Sequence, residues 1–353
     1  MIFAMVCAAI IAFCCTPVTI YIANKLGITT DRKTRKHPAH THTGVLPRLG
    51  GIPIFIGILI PLLPIIIASK IALFIFLGAG LTVVVGVLDD RYDLSPYLRF
   101  FLNGIAAMLA VAGGAGIPFI TGIGGNAVHL DMWRVTVDIF SWRIHLLPFA
   151  DVAAILWIVW CMNMVNWSKG VDGQLPGFVV IAALFLGILS FRFSRHDISR
   201  EAITVMGFVT AGAYLGFLPW NFYPQKILTG YAAGSLAGYL LAVLSILSWG
   251  KLGTLLLVLA LPLTDALLVF ARRIAHKHSP FRADRTHFHH TLLDMGWGRR
   301  RIAVFYWLVS LIVGCFSLYV GSEKKLVGFV MIFFVICGIV VGSYRFVKNL
   351  KHI

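Results

Sequence analysis

Charged side chains are scarce in this sequence. Asp, Glu, Lys and Arg together make up 12% of the 353 residues, against roughly 25% in soluble domains. Carboxylates are scarcer still: 14 Asp and Glu stand against 30 Lys and Arg. With 59% hydrophobic residues and a mean hydropathy of +0.88, a soluble fold is excluded. No polar stretch is long enough to fold alone. Six Cys are present, but Cys7, Cys14, Cys15 and Cys161 lie inside apolar runs without the paired spacing of a zinc site. Internal repeats and low-complexity tracts are absent from the sequence. The first apolar run has neither a basic leading stretch nor an evident cleavage site, so it is expected to be a retained helix. The net charge of +16 does not call for nucleic acid. A membrane protein biased toward Lys and Arg on one side, facing anionic headgroups, accounts for it.

What is present is a succession of apolar runs. A bilayer-spanning helix needs about 20 mostly apolar residues. Runs of that kind occupy 2–24, 50–68, 71–88, 97–116, 149–166, 173–190, 202–219, 230–248, 252–271, 302–320 and 326–344. The expectation is an all-α polytopic bundle of about 11 helices forming one domain over 1–353. If the loops alternate sides, 21 Lys and Arg fall on one side and nine on the other. The positive-inside rule then puts the N-terminus outside and the C-terminus in the cytoplasm. The long outer segment, about 117–148, is Gly-rich and then alternates, which predicts a short hairpin lying on the membrane.

Four polar clusters interrupt the apolar pattern, and on this topology all four face the cytoplasm. The first is Asp89-Asp90-Arg91-Tyr92-Asp93, which closes the run 71–88. Three carboxylates in five positions at a membrane boundary are hard oxygen ligands, suited to Mg²⁺ and phosphate chemistry. The second, Asn163 to Gly173, joins two apolar runs with Asn163, Asn166, Lys169 and Asp172. The third lies within 219–235. The fourth runs from Arg272 to His290 and on to Arg301, with His287-x-His289-His290 among Arg residues. That His spacing does not match a closed zinc site, and a polyanion is the better partner. Arg299, Arg300 and Arg301 read as a positive-inside anchor. Asp265, inside a span, is either a site residue or the partner of an interior basic group.

Taken together, these residues resemble the polyprenyl-phosphate N-acetylhexosamine-1-phosphate transferases. The likeness runs through Pro47-Arg48-Leu49-Gly50-Gly51, Leu88 to Pro96, Asn163 to Gly173, Phe217 to Pro224 and the basic loop Arg272 to His290. Among the branches of that family it is closest to the undecaprenyl-phosphate GlcNAc-1-phosphate transferases. The resemblance implies a multi-pass protein of the cell membrane with its active site on the cytoplasmic face. There it would transfer a sugar-1-phosphate from a UDP-sugar to a polyprenyl phosphate, releasing UMP. It implies Asp89, Asp90 and Asp172 as catalytic carboxylates, with Asp90 and Asp172 as ligands of Mg²⁺ or Mn²⁺. Arg48, Asn163, Asn166, Asn221, Arg282, His287, His289 and His290 would bind substrate. The partners implied are the UDP-sugar, the lipid phosphate and the membrane; a homodimer is left open. Two departures stand out: Lys169 replaces the first Asp of the Asp-Gly-x-Asp-Gly motif, and Tyr231 stands where a Gly-Asp-x-Gly-Ser motif carries Asp. They keep open a second expectation, an impaired homologue that binds the lipid or the nucleotide-sugar and regulates cell-envelope glycan synthesis.

Overall fold

The computed structural model describes residues 1–31, 44–122, 126–139, 142–192, 199–248, 252–277, 279 and 285–350. In chain order the helices are α1 (Ile2–Lys25), α2 (Gly51–Ala68), α3 (Lys70–Tyr92), α4 (Pro96–Ala112), α5 (Pro148–Trp167), α6 (Gln174–Arg192) and α7 (Arg200–Asn221). They continue as α8 (Gly230–Leu247), α9 (Leu252–Val258), α10 (Ala260–Ala275), α11 (Phe288–Asp294), α12 (Arg299–Tyr319) and α13 (Ser322–Leu350). Among the described residues, nine of these are long and apolar enough to cross a bilayer. The other two expected spans appear as α4, a shorter apolar helix, and as α9 with α10, a pair bent by 83°. All eleven expected apolar segments are therefore helical.

Helix boundaries follow local chemistry. Ser69, Ser95 and Ser199 each accept a backbone N–H from the first turn of α3, α4 and α7, the side-chain cap that satisfies an otherwise orphaned donor. Pro96 at the start of α4 adds a backbone already set for helix. Helix α3 stops where Asp93 turns left-handed at φ 50°, its N–H closing onto the Asp89 carbonyl. The stop leaves Asp89 and Asp90 in the last helical turn.

Helix α8 is the centre of the bundle: every one of its residues is buried. It packs against α3, α5, α6 and α2. In a bilayer, close packing rather than water exclusion drives helix association, and small residues let backbones approach. Gly86 of α3 lies directly against Ala232, and Gly238 against the α5 backbone at Cys161 and Met162. At the other side of the bundle, Gly212 and Gly216 of α7 seat the α1 backbone at Met5 and Ala9. Two buried tyrosine hydroxyls find carbonyls: Tyr239 donates to Ile75 and Tyr214 to Ala233.

Three two-stranded antiparallel ribbons decorate the helices: β1 (Thr29–Asp31) with β2 (Val45–Pro47), β3 (Phe119–Thr121) with β4 (Ala127–His129), and β5 (Val135–Ile139) with β6 (Trp142–Leu146). The last two form the hairpin structure expected in the long outer segment. The first matters for the site. Its end is clamped between the Ile28 carbonyl, which accepts the Arg48 N–H, and the Leu228 N–H, which donates to the Pro47 carbonyl.

Candidate active site

The four polar clusters meet at one end of the bundle. The last turn of α3 carries Asp89 and Asp90, which are 2% and 3% exposed. This is an unfavourable place for carboxylates, since the C-terminal end of a helix is already its negative end. Three groups from elsewhere offset it. The clamp on β2 holds Arg48 so that its Nε donates to Asp90 Oδ1 at 3.1 Å, with Nη1 3.4 Å from Asp93. Arg99, on the first turn of α4, donates from Nη1 to both Asp89 oxygens at 3.1 and 3.2 Å. The N-terminus of α8, the positive end of that helix, points at Asp90: the Tyr231 N–H reaches Oδ1 at 3.0 Å and Oδ2 at 3.2 Å. Gly230 makes this approach possible. Its φ is +65°, and a Cβ there would run into the Arg48 carbonyl and the Asp90 carboxylate.

Lys169 enters from the turn between α5 and α6. Its ammonium donates to the Gly230 carbonyl at 2.7 Å and lies 5.9 Å from the Tyr231 ring centroid. Arg99 covers the same ring at 4.9 Å. The Tyr231 hydroxyl accepts from Asn103 Nδ2 at 3.0 Å. Burial pulls the Lys169 ammonium down to about 8, against the attraction of Asp90.

Gln174 braces the turn that carries Lys169 from both sides, accepting from the Val171 N–H and donating to the Ser168 carbonyl. Asn221 adds a third brace: its Oδ1 accepts from Gly173 N–H, while its Nδ2 donates to the Ile227 carbonyl and Gln225 Oε1. The hydrogen bonds of Asn221 are thus made within the chain, which gives it a scaffolding place in the structure. Asn163 bonds back to the Val159 carbonyl one turn earlier. Asn166 is buried on Gly234 of α8, and its Oδ1 has no hydrogen-bond partner among the described residues.

Across the same turn, Gly170 lies flat against the His289 ring, so close that a Cβ would strike it. The His loop is set by Asp265 of α10, whose Oδ1 accepts the Phe288 N–H at 2.7 Å and whose Oδ2 is 3.1 Å from His287 Nδ1. The buried acid therefore has a partner, and that partner is a candidate substrate ligand. Removing it by Asp265→Ala leaves two buried donors unpaired, at about 1–3 kcal/mol each. The expected result is a lower thermal midpoint and weaker nucleotide binding, with Asp265→Asn the milder change; equal midpoints would refute the linkage.

His289 and His290 are 3% and 1% exposed. Burial lowers both, His289 well below the usual imidazole range and His290 to about 4, with neighbouring His287 and Arg285 adding to the effect. They are neutral at pH 7, so each offers one N–H donor and one acceptor rather than a cation. His289 Nδ1 and both His290 nitrogens lack hydrogen-bond partners among the described residues. The sign of the pH effect follows. An unfolded imidazole near 6.5 takes up a proton that the folded one resists, so stability held above pH 6.5 declines as pH falls toward about 4. Thermal midpoints measured between pH 7 and 4.5 should fall, and His290→Gln should flatten part of that slope.

Asp172 is buried beside Arg299 of α12, its Oδ2 3.6 Å from Nη1, and burial pushes its carboxyl up. Neither of its oxygens has a hydrogen-bond partner among the described residues. Arg299 is therefore more than an anchor, and Arg300 likewise donates from Nε to the Tyr223 carbonyl at 3.2 Å. Arg282 lies outside the described residues. Arg99 and Gln174 were not singled out in the sequence, and Arg299 was read only as an anchor. For Arg99 a signal existed: an Arg one short turn beyond the acidic pair, on the first turn of the next helix.

The residues present do not fit the implied divalent ion. Among the described residues, no three His, Cys, Asp or Glu side chains converge on one point. Mg²⁺ can make do with one or two carboxylates plus phosphates, but here Asp90 and its neighbour Asp89 are held by guanidinium groups, and of the two implied ligands only Asp172 keeps oxygens without a hydrogen-bond partner among the described residues. Asp89, Asp90 and Asp93 face Arg48, Arg99 and Lys169, so the local charge is balanced without a metal.

The profile of glycosyl transferase family 4 matches residues 72–249, half of the chain. The chain belongs to this family. The matched stretch contains the acidic pair, Lys169, Asp172, Asn221 and all of α8. Similar proteins cover nearly the whole length. A probable undecaprenyl-phosphate N-acetylglucosaminyl 1-phosphate transferase of Bacillus subtilis is 28% identical over 329 residues, 91% of this chain and 85% of that one. An undecaprenyl-phosphate alpha-N-acetylglucosaminyl 1-phosphate transferase of Thermotoga maritima is 29% identical over 340 residues, 95% of each chain. The decaprenyl-phosphate N-acetylglucosaminephosphotransferase of Mycobacterium tuberculosis is 28% identical over 331 residues, 85% of this chain and 78% of that one.

Proposed function

We propose that this family 4 protein transfers N-acetylhexosamine-1-phosphate from a UDP-sugar to a polyprenyl phosphate. An oxygen of the lipid phosphate attacks the β-phosphorus of the UDP-sugar. The bond from that phosphorus to the bridging oxygen breaks, UMP departs with the oxygen, and a polyprenyl-diphosphate-sugar remains. Protein chemistry in such a step is chiefly positioning and charge compensation.

The observation that carries this reading is the convergence, at one end of a membrane bundle, of the Asp89–Asp90 pair with Arg48, Arg99 and Lys169 and of a buried His loop beside them. The activities for which the relatives are named, transfers of N-acetylglucosamine phosphate to a polyprenyl phosphate, agree with it. In this reading the cationic groups meet the two phosphates. Asn166, His289 and His290, whose buried polar atoms lack protein partners, meet the nucleotide or sugar. The bias of Lys and Arg supports a cytoplasmic position for this end, on the side where a nucleotide-sugar would be met. Lipid-facing grooves between the helices would receive the isoprenoid.

The test is a donor screen: purified protein, undecaprenyl phosphate and a panel of sugar-labelled UDP-sugars. The expected outcome is labelled lipid from an N-acetylhexosamine donor. Binding of donors without labelled lipid from any of them would instead support the regulatory reading.

A further inference from the structure

Lys169 is placed unusually for a lysine. It is partly buried, it sits at the mouth of the central helix, and among the described residues it makes one hydrogen bond, to the Gly230 carbonyl at 2.7 Å. An ammonium has three N–H donors, so two remain for another acceptor. The charged groups around it are Asp90 and Asp89 of α3, Arg48 beyond β2 and Arg99 of α4, with the Tyr231 face from α8. The turn that carries it is braced by Gln174 and Asn221.

We infer that Lys169 is a tethered cation that binds substrate phosphate in the place a divalent ion would otherwise serve, so that phosphate binding at this site does not depend on a metal. The inference rests on the reading of the site as a phosphoglycosyl transfer site. Three observations support it. Asp90, one of the two implied ligands, is already held by Arg48 and the Tyr231 N–H, and its neighbour Asp89 by Arg99 through both oxygens. The other implied ligand, Asp172, lies beside Arg299, 3.6 Å from its Nη1. The first turn of α8 is closed against α2 and α3, where Ala232 meets Gly51 and Gly86 with no room even for a Cβ. With Asp89 and Asp90 held by the guanidinium groups, the Lys169 N–H donors that no described residue uses are offered to a phosphate oxygen. The exchange is coherent: a fixed monovalent cation with directed N–H groups replaces a mobile ion, and the acidic pair serves to hold the cations rather than to hold a metal.

The experiment uses the full chain in nanodiscs after EDTA treatment. Mn²⁺ binding is followed by electron paramagnetic resonance, and UDP binding by calorimetry with and without Mg²⁺. Wild type should show no saturable Mn²⁺ site up to about 1 mM, and UDP affinity should agree within about twofold in EDTA and in Mg²⁺. Lys169→Asp should gain Mn²⁺ affinity by at least about tenfold and should bind UDP only when Mg²⁺ is present. Lys169→Gln, nearly isosteric and safer for folding, should lose about tenfold in UDP affinity in EDTA at an unchanged thermal midpoint. Stoichiometric Mn²⁺ binding by wild type that Lys169→Asp does not strengthen would overturn the inference. Failure of UDP to bind wild type under either condition would overturn the transfer reading instead, and the Mn²⁺ result would still decide the metal question.

Discussion

Asp90→Asn is expected to reduce transfer by about a hundredfold, roughly 2.7 kcal/mol of barrier, while the protein still folds. Asp90 accepts Arg48 Nε and the Tyr231 N–H at the mouth of α8. An amide of the same shape keeps one acceptor for them but removes the charge that pins the guanidinium. Arg48 then loses its fixed direction, and the region gains a positive charge that repels the neighbouring Lys169 and Arg99. Turnover and thermal midpoint should be measured together. A midpoint within a few degrees of wild type with a hundredfold loss of turnover supports a direct place for the pair in the site. Unchanged turnover in Asp90→Asn and in Asp89→Asn removes both residues from the chemistry. Asp90→Leu should behave differently: stripping the carboxylate leaves Arg48 only its longer contact to the exposed Asp93 and the Tyr231 N–H without its acceptor, so the thermal midpoint should fall further than in Asp90→Asn.

The second large effect is expected at a residue with no side chain. Gly230→Ala adds one methyl at φ +65°, between the Arg48 carbonyl and Asp90. The left-handed backbone alone disfavours Ala by about 1–2 kcal/mol. The steric conflict is additional, because both obstacles are held: the Arg48 backbone by the β2 clamp and Asp90 by its own three hydrogen bonds. The start of α8 must therefore shift away from α3, breaking the Tyr231 N–H contact and moving Lys169 with the Gly230 carbonyl. A drop in thermal midpoint accompanied by loss of turnover is the expected result. An active, equally stable Gly230→Ala protein would mean that α8 does not need to approach Asp90 closely.

The spans were legible because each depends on one local property, a run of about 20 apolar residues, and all eleven runs are helical. The positions of Asp89 and Asp90 were equally legible, since a carboxylate ending an apolar run stands out from its neighbours without any knowledge of the fold. What holds them was not. Arg99 reaches Asp89 because Asp93 turns the chain left-handed and Pro96 restarts it as α4, a geometry that neither residue type announces. Arg299 was hidden for a different reason. Three consecutive Arg at a helix start look the same whether they face headgroups or a buried Asp172 more than a hundred positions away. Asn221 shows a second thing the sequence hid: its hydrogen bonds close the turn between α7 and α8 and steady the one after α5. Candidate residues stood out by type; their partners depended on which helices lie side by side.

The most direct test of the account follows the phosphorus. Full-length protein in nanodiscs is given undecaprenyl phosphate and UDP-GlcNAc labelled with ³²P at the β-position, in buffer containing EDTA. The account predicts that label passes into the lipid fraction, that unlabelled UMP appears in equal amount, and that Asp90→Asn suppresses both. Label released as inorganic phosphate or UDP, or retained in the donor when Mg²⁺ and other UDP-sugars are also supplied, would contradict it.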